Sequence, residues 1–303
     1  MMISGEYAVL DGAEAIVAAV GRRAYVTLGG ENTAGSVPPE AAAARAAAER
    51  RLGAIGGALS IDVRELQQDG RKLGLGSSAA AAAAAAGAVF AAHGRDVADA
   101  DVRQQVLESA LEGHHAIAPQ GSGADVAAAV LGGFVRFRKL GAGVEAHPVP
   151  WPRDVELCVV WTGKPARTSD MLAKLRGFSD RDAHGYRRRM HALGDCADQF
   201  VSALIAGDPA GVIAGVDAYG AAMQALGDAA GIGIVEETCS QIRDIAAACG
   251  GAAKPSGAGG GDVVIAVFSK TSLSEDFRAR CAAAGFVILS LELGVHGERV
   301  EEP

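Results

Sequence analysis

Leu73-Gly-Leu-Gly-Ser-Ser-Ala-Ala80 sets two glycines and two adjacent hydroxyls directly ahead of an alanine block running from Ala79 to Ala86. Alanine is the best helix former, so the block predicts a helix beginning near Ser77 or Ser78. Serine is a favoured N-cap. The first turn of such a helix leaves backbone N–H groups unpaired and carries the positive end of the helix dipole. Glycines ahead of it let a ligand approach the backbone closely. These parts together make an anion site, and phosphate is the commonest biological anion found in one. An ordinary serine-capped loop before a packing helix uses the same residues.

Two further glycine turns carry reactive side chains. Gln120-Gly-Ser-Gly-Ala-Asp125 holds Ser122 and Asp125, and Ala253-Lys-Pro-Ser-Gly-Ala-Gly-Gly-Gly-Asp262 holds Lys254, Ser256 and Asp262. No single turn is specific, because glycine-rich turns also occur without ligands. Three in one chain offer what phosphoryl transfer needs: a backbone cradle, hydroxyl or carboxylate ligands for Mg²⁺, and a group to accept or orient the nucleophile's proton. The Walker pattern GxxxxGK[ST] is absent, since no lysine follows the glycines before Ser77. The protein-kinase HRD and DFG triplets are absent too, and neither GxGxxG nor GxSxG occurs in the 73–80 stretch.

Other polar groups have two readings each. Asp125 is the only carboxylate between Glu112 and Glu145 and sits where a helix dipole is often compensated. Lys164, Arg167, Thr168 and Ser169 share one turn that could hold an anionic substrate, and a solvated loop has the same composition. His114-His115 invites a metal, but with no third ligand nearby a helix end carrying its cations is the better reading.

The elements that must position these groups follow from pattern. Strands are predicted within Ala15 to Leu28 and over Ala58 to Glu65, and a helix over Ala41 to Leu52. The alanine helix runs to about Ala92, and further helices cover Val97 to Ile117 and Val126 to Leu131. Phe134 to Phe137 and Val144 to Val149 read as a hairpin. Pro148, Pro150 and Pro152 then mark a boundary near 150. Beyond it, Val155 to Trp161, Val263 to Phe268 and Phe286 to Leu293 read as strands. Helices are predicted over Asp170 to Leu175, Asp180 to Ala206, Pro209 to Leu226, Val235 to Cys249 and Leu273 to Ala284. The class is α+β.

Composition narrows the functions. With 28 Lys+Arg against 36 Asp+Glu the net charge is −8, and no basic stripe appears, which argues against nonspecific nucleic-acid binding. The five cysteines are scattered and form no CxxC pair, so they read as buried thiols in a reducing compartment. The first residues do not resemble a signal peptide, and no run matches a membrane helix. A soluble, cytoplasmic protein without membrane or nucleic-acid partners is expected.

The three turns together resemble the GHMP kinases, the superfamily of small-molecule kinases named for galactokinase and the homoserine, mevalonate and phosphomevalonate kinases. Leu73 to Ala80 looks like the family's phosphate loop. Ser4-Gly-Glu-Tyr-Ala-Val-Leu-Asp-Gly-Ala-Glu-Ala-Ile resembles its N-terminal motif, and Lys254-Pro-Ser-Gly-Ala-Gly-Gly-Gly-Asp its C-terminal one. All three stand in family order. Within the superfamily, Gly121-Ser-Gly-Ala-Asp-Val-Ala-Ala-Ala-Val-Leu-Gly-Gly and Val160-Trp-Thr-Gly-Lys-Pro-Ala-Arg-Thr-Ser are similar to phosphomevalonate-kinase segments.

The resemblance implies a two-domain α+β GHMP-kinase-like fold. Residues 1–150 would form an ATP-binding, ribosomal-protein-S5-domain-2-like domain, and 151–303 a ferredoxin-like domain. It implies that Gly74, Leu75, Gly76, Ser77, Ser78 and Ala79 hold the ATP phosphates, with Ser78 also near Mg²⁺. Asp125 becomes the catalytic aspartate. Ser4, Glu6, Ser122 and Ser256 fall among the substrate-binding positions, with Gly257, Gly259 and Gly260 as the floor beside the nucleotide and Lys164, Arg167 and Lys254 as cations for an anionic substrate. Some relatives place a Mg²⁺-binding glutamate about eleven residues before the aspartate; that position is His114, so Glu112 is the metal candidate. Relatives also carry a lysine a few residues before Ser-Gly-Glu, and none precedes Ser4, which implies weak or absent turnover for a chain starting at Met1. The implied activity is ATP-dependent phosphorylation of phosphomevalonate to diphosphomevalonate, by a monomer or homodimer. The alternatives are phosphorylation of a hydroxyl of mevalonate or another small metabolite by a GHMP small-molecule kinase, and a non-catalytic nucleotide-binding relative.

Overall fold

The computed structural model describes residues 1–29, 37–68, 70–141, 143–166 and 168–300. In chain order the elements are β1 (Met2–Ser4), β2 (Glu14–Ala18), β3 (Tyr25–Leu28), α1 (Pro39–Leu52), β4 (Leu59–Asp62), β5 (Gln67–Gln68), β6 (Arg71–Lys72), α2 (Ser77–Ala92), α3 (Ala100–Ile117), α4 (Ala124–Leu131), β7 (Phe134–Leu140) and β8 (Gly143–Val149). They continue as β9 (Glu156–Trp161), α5 (Thr168–Arg181), α6 (Ala183–Ala206), α7 (Pro209–Ala230), α8 (Glu237–Ala248), β10 (Ala252–Ser256), β11 (Val263–Phe268), α9 (Thr271–Ala283) and β12 (Val287–Ile288). The architecture is the expected two-domain α+β one. Two compact units form: one from Met1, Ala18–Val135 and the chain from Glu292, the other from Met2–Val17 and Arg136–Leu291.

In the first unit α2 packs against α1, α3, α4 and β3. One helix can serve that many neighbours because its sides are methyl-sized: Ala79, Ala81, Ala82, Ala83, Ala85 and Ala86 are all buried. Ala81 and Ala85 join Ala41 of α1 and Leu59 of β4 in one cluster, against which Val26, Leu28 and Ile61 lie. The β3–β4 ribbon pairs Tyr25 with Asp62 and Leu28 with Leu59. α3 begins three residues later than Val97, because the Asp99 carboxylate accepts from Asp101 N (2.9 Å) and Val102 N (3.1 Å) and so sets its N-cap.

In the second unit an antiparallel sheet runs in the order β10-β11-β9-β12. Its second strand, β11, is buried along its whole length. The Tyr219, Met223, Phe268 and Phe277 side chains pack into the same core. α6 and α7 are joined by Gly207 at φ 63°, followed by Asp208, whose carboxylate accepts from Ala210 N at 3.1 Å, and Pro209 in the first turn. This is a glycine stop, an acidic cap and a proline start in succession. A second sheet, β1-β2-β7-β8, pairs Met2 with Val17 and Ser4 with Ile16.

Both edges of the β10-β11-β9-β12 sheet differ from expectation. Residues 253–262 read as one turn, yet the sheet captures Ala252–Ser256 as β10, pairing Lys254 with Ile265. Pro255 is tolerated because β10 is an edge strand. At the other edge, the expected Phe286–Leu293 strand narrows to Val287–Ile288, the residues that find partners on β9.

Candidate active site

The site residues fall into two clusters, one in each unit. In the first unit, Gly74 (φ 76°) and Gly76 (φ 80°) both take the left-handed conformation that glycine adopts without penalty. Gly76 rather than a serine is the N-cap of α2, and no side chain caps the helix. Ser77 is the first helical residue, and Ser77 and Ser78 are half-buried. The first-turn N–H groups are therefore not consumed by a capping side chain, which is the condition for holding an anion.

Asp125 lies in the first turn of α4 and accepts from Val126 N through Oδ1 at 3.0 Å. The turn ahead of it is shaped by Ser122 Oγ, which accepts from Ala124 N at 3.3 Å, and by Gly123 (φ 82°), where a β-carbon would meet Leu111 Cδ2 at 2.4 Å. Gly76 and Asp125 face each other: a β-carbon on Gly76 would stand 3.8 Å from Asp125 Oδ2. Both line a cavity of about 680 Å³ bordered by Ala80, Ala83, Tyr25 and Glu298. The predicted phosphate loop and the predicted catalytic carboxylate are thus brought together.

Glu112 is placed differently. Its carboxylate, half exposed on the surface of α3, pairs with Arg50 at 2.6 Å and Arg51 at 3.9 Å. His114 and His115 fall in the last turn of α3, as a helix end predicts. Among the described residues no group of three or more His, Cys, Asp or Glu side chains could hold a metal ion. A Mg²⁺ ion bound mainly through substrate phosphates needs only one or two protein oxygens, and the Asp125 carboxylate and the serine hydroxyls suit that demand.

In the second unit, Ser4, Glu6, Lys254, Ser256 and the loop Gly257 to Gly261 come together. Lys254 is fully buried and ion-paired with Glu6 Oε1, 2 % of whose side chain is exposed. Its Nζ also donates to Pro255 O at 2.8 Å and stands 5.3 Å from the centre of the Tyr219 ring. Burial pulls the lysine below its ordinary range, and the Glu6 charge opposes that shift. Ser256 Oγ donates to Met2 O at 2.7 Å. Ser4 Oγ and Glu6 Oε2 are buried without a partner. Lys164, by contrast, is 63 % exposed and paired with Glu236 at 3.2 Å. Arg167 lies outside the described residues.

Sequence reading missed two members of this cluster. Tyr7 donates its hydroxyl to Ala258 O and holds φ 63°, a strained value for a residue with a β-carbon. Tyr219 donates to Glu6 O at 2.7 Å. Tyr7 sits inside a recognisable motif, but Tyr219 looks like any core position of a long helix.

Comparison with known proteins agrees with this division. The family model for the GHMP kinases N terminal domain matches residues 41–133, and that for the GHMP kinases C terminal matches 203–285. A phosphomevalonate kinase from Streptomyces sp. (strain CL190) is 32% identical over 264 residues, 79% of this chain and 69% of that protein. A mevalonate kinase from Aeropyrum pernix is 28% identical over 324 residues, 100% of this chain and 96% of that protein. Streptococcus pneumoniae phosphomevalonate kinase, solved in complex with phosphomevalonate and AMPPNP, superposes with a TM-score of 0.78 at 19% identity, over 96% of this chain and 97% of that one, which shows the shared fold. With both family models in order along it and a relative this similar, the chain belongs to the GHMP kinases.

Proposed function

We propose that this kinase transfers the γ-phosphoryl group of ATP to the phosphate of phosphomevalonate, giving diphosphomevalonate and ADP in the mevalonate route to isoprenoids. The observation that carries the reading is the placement of Asp125 beside Gly76 at the uncapped start of α2. The Streptomyces phosphomevalonate kinase supports the choice of acceptor. An acceptor phosphate oxygen bonds to the γ-phosphorus, and the bond from that phosphorus to the bridging oxygen breaks, so that ADP leaves with the electron pair. The transition state of such transfers is loose, and the protein acts by positioning and by meeting charge. Backbone N–H groups from Gly76 to Ala79 and the Ser77 and Ser78 hydroxyls would meet the charge on the phosphates. The Ser78 hydroxyl and the Asp125 carboxylate would hold Mg²⁺, which when bound would supply positive charge against that developing on the phosphates. Asp125 orients the acceptor, which is already largely ionised and needs little base catalysis.

The second reading is phosphorylation of mevalonate, favoured by the Aeropyrum mevalonate kinase that aligns along the whole chain. Asp125 would then take a proton from a hydroxyl. A coupled ADP-release assay with phosphomevalonate, mevalonate and homoserine separates the two. Whatever turnover occurs is expected with phosphomevalonate alone; turnover with mevalonate but not phosphomevalonate would overturn the choice of acceptor.

A further inference from the structure

Gly257 (φ 86°), Gly259 (71°), Gly260 (73°) and Gly261 (151°) all lie in backbone regions that residues with a β-carbon rarely adopt. A loop of this composition has almost no conformational preference of its own, so its shape must be imposed by its attachments. On one side Gly260 N donates to Ile234 O at 2.9 Å and Asp262 N to Lys164 O at 2.7 Å. On the other side, among the described residues, the attachments run to the segment Met2 to Tyr7. Ser256 Oγ reaches Met2 O, the Tyr7 hydroxyl reaches Ala258 O, and Gly257 N reaches Glu6 Oε1 at 3.4 Å.

Glu6 is the centre of that side. The same Oε1 receives Lys254 Nζ, which precedes the loop, and Gly257 N, which begins it. Its backbone carbonyl receives the Tyr219 hydroxyl. Lys254 is sealed in: Glu6, Pro255 O and the Tyr219 ring surround its ammonium group, and none of its surface reaches solvent. Gly220 of α7 leaves room for it, since a β-carbon there would meet Lys254 Cβ at 3.2 Å. A lysine with its donors engaged inside the core is not built to release them to a substrate.

We infer that Glu6 and Lys254 form a positioning pair that fixes the third glycine loop for phosphoryl transfer, and that Lys254 is not a substrate ligand. The catalytic part of this inference rests on the kinase reading above; the structural part, that the pair fixes the loop, does not.

Two measurements on Glu6→Gln, Lys254→Met and the double variant keep these parts separate. Amide hydrogen exchange at Gly260 and Asp262 is expected to accelerate in each single variant and to return toward the native rate in the double variant. Native loop protection in folded single variants overturns the pair's role, whatever the activity. In steady-state kinetics, each single variant is expected to lose about 30-fold in kcat with less than about threefold change in either KM, and the double variant to regain most of the loss. A Lys254→Met enzyme whose acceptor KM rises about tenfold at unchanged kcat, with no rescue by Glu6→Gln, would make Lys254 a substrate ligand and sink the proposal. Should the single variants not fold, Tyr219→Phe removes only the hydroxyl that holds Glu6. It is expected to lower kcat about fivefold and to speed Gly260 exchange, and a native result on both counts overturns the inference. Wild-type protein that neither binds ATP nor turns over any acceptor refutes the kinase reading, and the exchange data still decide the role of the pair.

Discussion

Asp125 and Gly76 lie side by side: a β-carbon on the glycine would stand 3.6 Å from Asp125 Cβ. The closeness sets a clean test of the aspartate. Asn in its place still offers an oxygen to Val126 N, so the start of α4 is kept. Asp125→Asn is expected to lower kcat by about tenfold if the acceptor is a phosphate that Asp125 only orients, and by about 10²-fold or more if it is a hydroxyl whose proton Asp125 takes, while the nucleotide KM and the melting temperature stay near wild type. Full activity in this variant would remove Asp125 from the chemistry.

Gly76→Ala examines the other partner. The distances to Asp125 are ordinary van der Waals contacts, so space is not limiting; φ 80° is. Holding alanine in the left-handed region costs about 1–2 kcal/mol. The loop can relieve that strain only by leaving its anion-binding shape. Nucleotide titration is expected to show several-fold weaker binding, with a melting temperature lower by a few degrees, about 2–4 °C per kcal/mol.

Gly113→Ala should be the more damaging change to stability. A β-carbon there would come within 2.1 Å of Ala44 N and 2.3 Å of Ala44 Cα, both backbone atoms of α1, so α1 and α3 must separate. Overpacking of this kind costs about 1–3 kcal/mol or more. Gly177→Ala in α5 is the control, because its nearest neighbour is the flexible end of Arg181 at 3.4 Å. It should be neutral or stabilising by up to about 1 kcal/mol. Equal melting temperatures for the two variants would contradict the close α1–α3 crossing.

Glu298 makes stability depend on pH. Its Oε2 is shut off from solvent with no partner, and burial pushes its carboxyl up to about 8, with Arg103 opposing. The unfolded carboxyl titrates near its ordinary value of 4.5. Between those values the folded chain holds a proton that the unfolded chain has lost. Stability from this group is therefore full below pH 4.5 and falls as pH rises toward 8, by up to about 1.4 kcal/mol per unit. Glu298→Gln should flatten the slope of unfolding free energy between pH 5 and 8. Gly87→Ala should flatten it as well, because its β-carbon would fall 1.4 Å from Glu298 Oε1 and displace the carboxylate. A wild-type profile no steeper than that of Glu298→Gln would refute the assignment.

Local chemistry made much of the protein legible. The alanine run fixed α2 and the glycines ahead of it marked the left-handed turn that leads into it, because helix propensity and left-handed backbone are properties of a residue and its immediate neighbours. The same holds for the Gly207-Asp208-Pro209 joint between α6 and α7. What the residues could not show alone was pairing at long range. For Lys254 the sequence offered only a cation; the fold added its partner, Glu6, 248 residues away in sequence. Ala252–Ser256 looked like a turn until β11 supplied the ladder that makes it a strand. For Glu112 the sequence offered only a carboxylate at a family spacing; α1 brought Arg50 and Arg51 to it. In each case the side chain's role is set by a partner whose approach depends on packing, and packing is a property of the folded chain rather than of any stretch of it.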